Sequence, residues 1–348
     1  MKVLSIVGAR PQFVKLAPIS WAASGRVEHE TLHTGQHYDE LLSSNFFNEL
    51  EIPNPIENLE IGSGSHGQQT GKMIIEIERA IQQINPQHII LYGDTNSTLA
   101  GAIAATKMHI PISHVEAGLR SFNKLMPEEI NRILTDHTSD LLFAPTMTAM
   151  LNLQHEGLGE KARFVGDVMV ETLKWIQNSA QKMDSTSQYI VATIHRAENT
   201  DDKSRLKYIF GQLKKSVIPV HLYCHPRLEK IIEKLDLGPS SDQLLLMPPI
   251  GYKEMVTSVI NSVGVITDSG GLQKESFILG KPCLIMREQT EWVETLNSGM
   301  SFLDPQLENI RSNWWEKEPK LDTENFFGDG TASKKIIDQI ISYRSKSA

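Results

Sequence analysis

The sequence predicts an α/β protein built from two doubly wound parallel-sheet domains in succession. Short apolar runs, such as 2–8 (KVLSIVG), 88–92 (HIILY), 112–115 (ISHV), 189–194 (YIVATI) and 263–267 (VGVIT), alternate with helix-length segments along the whole chain. That is the pattern of parallel strands joined by helical crossovers. The series breaks once, at the polar stretch 177–187 (QNSAQKMDSTS), and then resumes. At 348 residues the chain is long enough for two such domains with full cores.

The first strand, 2–8, turns at Gly8. Pro11 takes the first helical position and QFVKLAPISWAA continues as helix. Arg10 and Lys15 flank that helix start, whose free N–H groups and dipole favour an anion. Only one glycine is present, so this is not the G-x-G-x-x-G turn of a dinucleotide site. Strand 29–35 follows, with Gln36, His37, Tyr38 and Asp39 at its tip, then a helix through SSNFFNEL. The segment IPNPIENLEIGSGSHGQQTG reads as a surface loop or hinge, and a helix spans 69–83.

Strand 88–92 runs into Gly93-Asp94-Thr95. A helix of small residues covers about 97–108, and strand 112–115 ends at Glu116. Strand, helix, strand at this spacing is a right-handed crossover, so Asp94 and Glu116 lie past the carboxyl ends of parallel strands, where open sheets bind ligands. Pro127 opens the next helix with Glu128 and Glu129 in its first turn. Each acid also has a structural reading: Asp94 as a helix cap, Glu128 as a dipole partner, Glu116 as a solvated loop residue. Their convergence favours chemistry. Strand 141–145, helix 146–155 and a short strand ending in VGDV (165–168) complete the first series.

In the second series, strand 189–194 ends in His195-Arg196-Ala197-Glu198-Asn199, before helix 202–215. Strand IPVHLYC ends in His225-Pro226-Arg227, before helix 228–235. Strand LLLMPP, helix 252–261 and strand 263–267 lead to Asp268-Ser269-Gly270-Gly271 and helix 272–279. Strand PCLIM and helix 290–297 close the series. Beyond Phe302 the chain turns charged and aromatic. A last helix carries Ile336, Ile337, Ile340 and Ile341 as one stripe that must dock on the protein.

A net charge of −8 argues against a nucleic-acid partner. No apolar run approaches a membrane span, and the apolar start is too short for a signal peptide. Cys224 and Cys283, both in predicted strands, suit a reducing compartment, so a cytoplasmic protein is expected. Neither His195 nor His225 has metal-ligand spacing with cysteine or carboxylate, and no metal site is expected. Ser269-Gly270-Gly271 after a buried strand makes a second anion cradle, with Glu275 placed for a ribose. Two diphosphate-friendly helix starts plus Asp94, Glu116, Glu128 and His195 as proton carriers suit a nucleotide-sugar enzyme whose diphosphate is the leaving group.

The segments GARPQFVKLAP, HTGQHYD, YGDTNSTLAGA, HVEAGLRS, PEEINR, TIHRAEN and TDSGGLQKE resemble, in consistent order from residue 1 to about 303, the non-hydrolysing UDP-N-acetylglucosamine 2-epimerases. The resemblance implies a GT-B-like fold of two Rossmann-like domains with the active site in the cleft between them. The first would be 1–176, joined by the C-terminal helix 331–348; the second, 188–330, would bind UDP. Carried over by position, catalysis would fall to Lys15, Asp94, Glu116, Glu128 and His195. Substrate contacts would fall to Arg10, Arg132, His225, Ser269, Gly270, Gly271 and Glu275. The implied reaction is anti elimination of UDP to a 2-acetamidoglucal and re-addition, with no cofactor, by a homodimer that supplies sugars for surface polysaccharide.

The sequence departs from the family's commoner pattern in three places. The opening, usually G-T-R-P-E, is Gly8-Ala9-Arg10-Pro11-Gln12; an arginine of the regulatory substrate site is missing from the segment Gly62 to Thr70; and the chain has Thr290-Glu291-Trp292-Val293-Glu294. These look more like the branch acting on UDP-2,3-diacetamido-2,3-dideoxyglucuronate, so the sugar is either UDP-N-acetylglucosamine or that uronate. A GT-B glycosyltransferase is the alternative reading, since it shares the fold and the UDP site.

Overall fold

The computed structural model describes residues 1–36, 46–180, 188–238, 241–317 and 326–347. The tip residues His37, Tyr38 and Asp39, and most of the polar stretch 177–187, lie outside them. The chain divides into two compact units, Met1–Lys174 with Thr323–Ala348, and Trp175–Asp322.

The first unit runs β1 (Lys2–Val7), α1 (Arg10–Ala23), β2 (Glu28–His33), β3 (Glu57–Asn58), α2 (His66–Ile84), β4 (His88–Tyr92), α3 (Asn96–Lys107), β5 (Ile112–Val115), α4 (Pro127–Thr138), β6 (Leu141–Ala144), α5 (Met147–His155), β7 (Ala162–Phe164) and α6 (Met169–Ser179), whose last residues belong to the second unit. Its seven strands pair in the order β3-β2-β1-β4-β5-β6-β7, and every pairing is parallel. The order reverses between β1 and β4. There the connections leave for opposite faces and open a crevice at the strands' carboxyl ends.

The second unit continues with β8 (Ile190–Thr193), α7 (Ala197–Thr200), α8 (Lys203–Leu213), β9 (Val220–Tyr223), α9 (Pro226–Leu235), β10 (Leu244–Met247), α10 (Tyr252–Asn261), β11 (Gly264–Thr267), α11 (Gly270–Ile278), β12 (Cys283–Ile285), α12 (Val293–Asn297) and β13 (Ser301–Leu303). Its six-stranded sheet has the order β10-β9-β8-β11-β12-β13, also all parallel, and reverses between β8 and β11. Two doubly wound sheets are what the alternation of strands and helices predicts.

The central strands are buried along their length because helices cover both faces of each sheet. In the first unit Leu4, Ile6, Ile89 and Leu91 pack against Met73, Ile77, Ala100 and Ala104 of α2 and α3. The small residues of α3 let that helix approach the sheet closely. In the second unit the core draws in Trp314, from the segment that reads as merely charged and aromatic. The final helix, α13 (Ala332–Ser347), returns to the first unit and packs on α1. Ile336, Ile337 and Ile340 of its stripe are buried, while Ile341 stays over a third exposed.

Several ends shift from the sequence reading. The short strand expected to end at Val168 stops at Phe164, because Gly166 turns the chain with φ +90°. Cys224 lies one residue past β9, and the expected helix 290–297 is regular only from Val293. No described helix is long and apolar enough to cross a membrane.

Gly264 shows how tightly the second core is closed. A Cβ there would come within 2.8 Å of the Trp314 ring, which is itself buried. Gly264→Ala is therefore expected to cost about 1–3 kcal/mol by overpacking, read as a lower midpoint in urea unfolding.

Candidate active site

The turn from β1 into α1 is organised by Gln12, which is buried. Its Oε1 accepts the N–H groups of Gly8 (2.8 Å) and Ala9 (3.0 Å), and its Nε2 donates to the Tyr92 carbonyl (2.8 Å) and Thr98 Oγ1 (3.0 Å). One amide thus ties the α1 start to the end of β4 and the first turn of α3. Arg10 begins α1 with its guanidinium stacked over Phe46, 5.1 Å from the ring centre.

One turn further on, Lys15 is buried and its Nζ lies 2.9 Å from Glu116 Oε1; both side chains are about nine-tenths covered. Glu116 follows β5 with φ +74°, a conformation that a residue with a Cβ rarely adopts. Asp94, just past β4, accepts Arg132 at 2.6 Å, and the other arm of Arg132 reaches Glu129 at 2.8 Å. Glu129 is almost wholly buried and also accepts the Ser121 N–H (2.9 Å), the Ser121 hydroxyl (3.0 Å) and the Phe122 N–H (2.9 Å).

Of the two first-turn carboxylates of α4, then, Glu129 is the one wired through Arg132 to Asp94. Glu128 is exposed beside it. Burial raises the Asp94 pKa against the pull of Arg132 and Lys15, while Glu116 adds to the rise. Burial also opposes ionisation of Glu129, but its backbone and arginine donors outweigh that and lower its pKa. Asp94 responds to Lys15, Glu116 and Arg132 at once, so these groups form one electrostatic unit.

In the second unit His195 leaves β8 beside the end of β11. Its Nδ1 lies 3.0 Å from Oδ1 of the buried Asp268, which also accepts the N–H groups of His195 and Arg196 (3.1 Å each) and Asn199 Nδ2 (3.0 Å). The ring remains half exposed with Nδ1 engaged, which leaves Nε2 for chemistry. Burial works against the Asp268 charge, yet His195, Asn199 and the N–H donors prevail and lower its pKa.

Ser269 caps α11 by accepting the Leu272 N–H at 3.3 Å. A Cβ on Gly270 would fall 2.3 Å from Oε1 of Glu291, so that carboxylate, whose Oε2 pairs with Arg287 at 3.0 Å, would have to move aside. Glu275 accepts the Tyr252 hydroxyl at 2.9 Å, and His225 caps α9, accepting the Arg227 N–H at 3.4 Å.

Lys15, Asp94, Glu116 and Arg132 are therefore brought together in the first unit, with Glu128 on the same helix as Arg132. His195, Ser269, Gly270 and Gly271 gather at one sheet reversal in the second. Two residues join the site that motif and spacing do not single out: Glu129, at i, i+3 from Arg132, and Asp268, the partner of His195 at 73 residues' separation. Among the described residues no His, Cys, Asp and Glu side chains group so as to hold a metal ion.

A family model described as UDP-N-acetylglucosamine 2-epimerase matches residues 20–341. A UDP-2,3-diacetamido-2,3-dideoxy-D-glucuronate 2-epimerase of Pseudomonas aeruginosa is 46% identical over 98% of this chain and 99% of its own. A UDP-N-acetylglucosamine 2-epimerase homolog of Methanococcus maripaludis is 47% identical over 97% and 99%. Among solved structures, the Methanocaldococcus jannaschii UDP-GlcNAc 2-epimerase in complex with UDP-GlcNAc and UDP superposes with a TM-score of 0.89. It is 39% identical and covers 99% of this chain and 100% of its own.

Two measurements probe the site without a ligand. Arg132→Met leaves the buried Glu129 charge to its Ser121 and Phe122 donors alone, and unfolding should become easier by about 1.5–3 kcal/mol, with Arg132→Lys recovering part of it. Asp268, with its pKa below the unfolded value, adds stability that is present above about pH 4 and lost as pH falls through its folded pKa. Unfolding curves should therefore show wild type losing more stability between pH 7 and pH 3 than Asp268→Asn.

Proposed function

Since the chain belongs to the UDP-N-acetylglucosamine 2-epimerase family and is thus an isomerase, we propose that it inverts C2 of a UDP-linked 2-acetamido sugar by expelling UDP and adding it back. The C2 hydrogen of such a sugar is not next to a carbonyl, so no side-chain base removes it unaided. Departure of UDP leaves an oxocarbenium-like C1 that acidifies that hydrogen. Its loss gives a 2-acetamidoglucal. UDP then returns to C1 while a proton is delivered to the other face of C2.

The observation that supports this reading most directly is the cluster Lys15–Glu116 and Asp94–Arg132–Glu129. In it Asp94 and Glu116 stand at the ends of adjacent strands with Glu129 on the neighbouring helix, Lys15 pairs with Glu116, and Arg132 is shared by Asp94 and Glu129. Asp94, with its raised pKa, suits proton exchange near neutrality better than an ordinary surface aspartate. We assign Asp94, Glu116 and Glu128 to handling the C2 proton. Arg10 and the starts of α1 and α11 stabilise the departing diphosphate, His195 serves as a further proton carrier through Nε2, and Lys15 holds Glu116 in place. Ser269, Gly270 and Gly271 cradle UDP, Glu275 takes its ribose, and Arg132 and His225 complete substrate binding.

The preferred sugar in this proposal is UDP-2,3-diacetamido-2,3-dideoxyglucuronate. The Gly8–Gln12 opening and the Thr290–Glu294 segment support it over UDP-N-acetylglucosamine, while overall identity, 46% to the Pseudomonas enzyme and 47% to the Methanococcus homolog, favours neither sugar.

In deuterated water, with either UDP-sugar and no acceptor, NMR should show a 2-epimer carrying solvent deuterium at C2. Asp94→Asn and Glu116→Gln should lose turnover by about 100-fold or more while keeping UDP affinity. Product that retains its original C2 hydrogen, or no product until an acceptor is supplied, would sink the mechanism. Faster turnover of UDP-N-acetylglucosamine than of the uronate would reverse the choice of sugar.

A further inference from the structure

Beneath the carboxylate cluster lies a second charged network that the proposed mechanism does not use. His114, the third residue of β5, is fully buried. Its Nδ1 is 2.6 Å from Asp136 Oδ1 on α4, and its Nε2 is 2.7 Å from the Gly93 carbonyl. A carbonyl can only accept, so Nε2 carries a hydrogen. Asp136 Oδ2 already accepts the Gly118 N–H (3.1 Å) and the Arg120 guanidinium (2.8 Å), the environment of an ionised carboxylate, so Nδ1 donates as well. Both ring nitrogens are then protonated. Arg120 in turn grips Glu156 through Nε and a terminal nitrogen, each at 2.7 Å. Two cations and two anions balance. Burial disfavours the Asp136 charge, yet its pKa still falls, because His114 and Arg120 stabilise the ionised form.

The network is anchored on the backbone that carries the candidate carboxylates. Gly93 precedes Asp94, and a Cβ on it would touch Lys15 Nζ (3.4 Å) and Glu116 Oε1 (3.5 Å), so Gly93 is the floor under that pair. Glu116 is flanked by His114 on one side and Gly118 on the other, both tied to the one Asp136 carboxylate. Gly118 has φ +83°, its carbonyl accepts Asn152 Nδ2 at 2.9 Å, and a Cβ would fall 2.4 Å from the Ala149 carbonyl. The Leu119 carbonyl accepts Arg120 at 2.7 Å. The left-handed conformation of Glu116 persists because its surroundings over-determine it.

We propose that His114, held as a cation between Asp136 and the Gly93 carbonyl, is a positioning residue that fixes both Asp94 and Glu116 in their working geometry. It touches no substrate in this scheme and acts through the backbone. The kinetic consequence rests on the epimerase reading above. Misplacing a proton-transfer group by about an ångström costs up to about 100-fold in rate.

The test uses the full chain with three variants: His114→Gln, Asp136→Asn and, at the half-buried far end, Glu156→Gln. Side-chain 15N NMR of wild type at neutral pH should show both His114 ring nitrogens protonated; a bare ring nitrogen overturns the proposal. His114→Gln and Asp136→Asn should lower kcat by about 10- to 100-fold with UDP affinity unchanged, and amide exchange at Glu116–Gly118 should speed up. An unchanged kcat with unchanged exchange refutes positioning. A parallel loss of kcat and UDP affinity reduces the network to general stability. If the first two variants fail to fold, Glu156→Gln must show the same pattern in weaker form. Should wild type epimerise neither sugar, the functional reading fails, and the NMR and exchange results still decide the role of His114.

Discussion

Each of the two parallel sheets reverses its strand order once, and that reversal dictates where chemistry-bearing residues can stand. At β1/β4 the chain leaves one strand toward one face and its neighbour toward the other, so nothing crosses the gap between them. Arg10 and Lys15 depart from one side of this gap, Asp94 from the other, and Glu116 from the next strand along. At β8/β11 the register pairs Thr193 with Thr267, which brings His195 and Asp268 side by side just beyond. The sheets are frameworks of apolar strands, yet their geometry makes one edge of each polar.

That edge is expensive to build, because charge removed from water must be balanced locally. The two units do this differently. In the first, side chains balance side chains: lysine with glutamate, and arginine between aspartate and glutamate. In the second, backbone N–H groups and the open start of α11 supply much of the positive potential, with Asp268 absorbing several of those donors. A neighbourhood of paired carboxyls retains ionisable protons, whereas one of exposed N–H groups favours a resident anion. The contrast gives the two edges different aptitudes before any ligand is considered.

Much of this was legible from residue order alone. HIILY and ISHV are strands with the expected ends, because a short, mainly apolar run next to glycine or proline admits little else. The run into VGDV misled, since Gly166 adopts a backbone state that ends the strand and periodicity does not register it. Glu128 and Glu129 are indistinguishable by propensity, and only the placement of Arg132 against Asp94 separates the buried one from the exposed one. His114 hid for the opposite reason. Within an apolar strand it reads as a tolerated polar residue, and its partner Asp136 sits 22 positions away on another element. Trp314 likewise does not stand out as core, because it falls in a stretch that is polar, charged and aromatic together. Local pattern reports burial of elements well; it reports partnerships between elements only when the spacing falls within one helix.

Gln12 carries a consequence of a different kind. Its amide is saturated, accepting two backbone N–H groups and donating twice, once to the Tyr92 carbonyl. A carboxylate of the same shape would lose both donors and face that carbonyl with like polarity. It would also place a negative charge over the start of α1. Having a neutral amide there means that Gln12 adds no titrating charge of its own to the turn. Across the physiological range Gln12 stays neutral, and the protonation changes at this mouth of the first sheet are left to the carboxyl groups beside it.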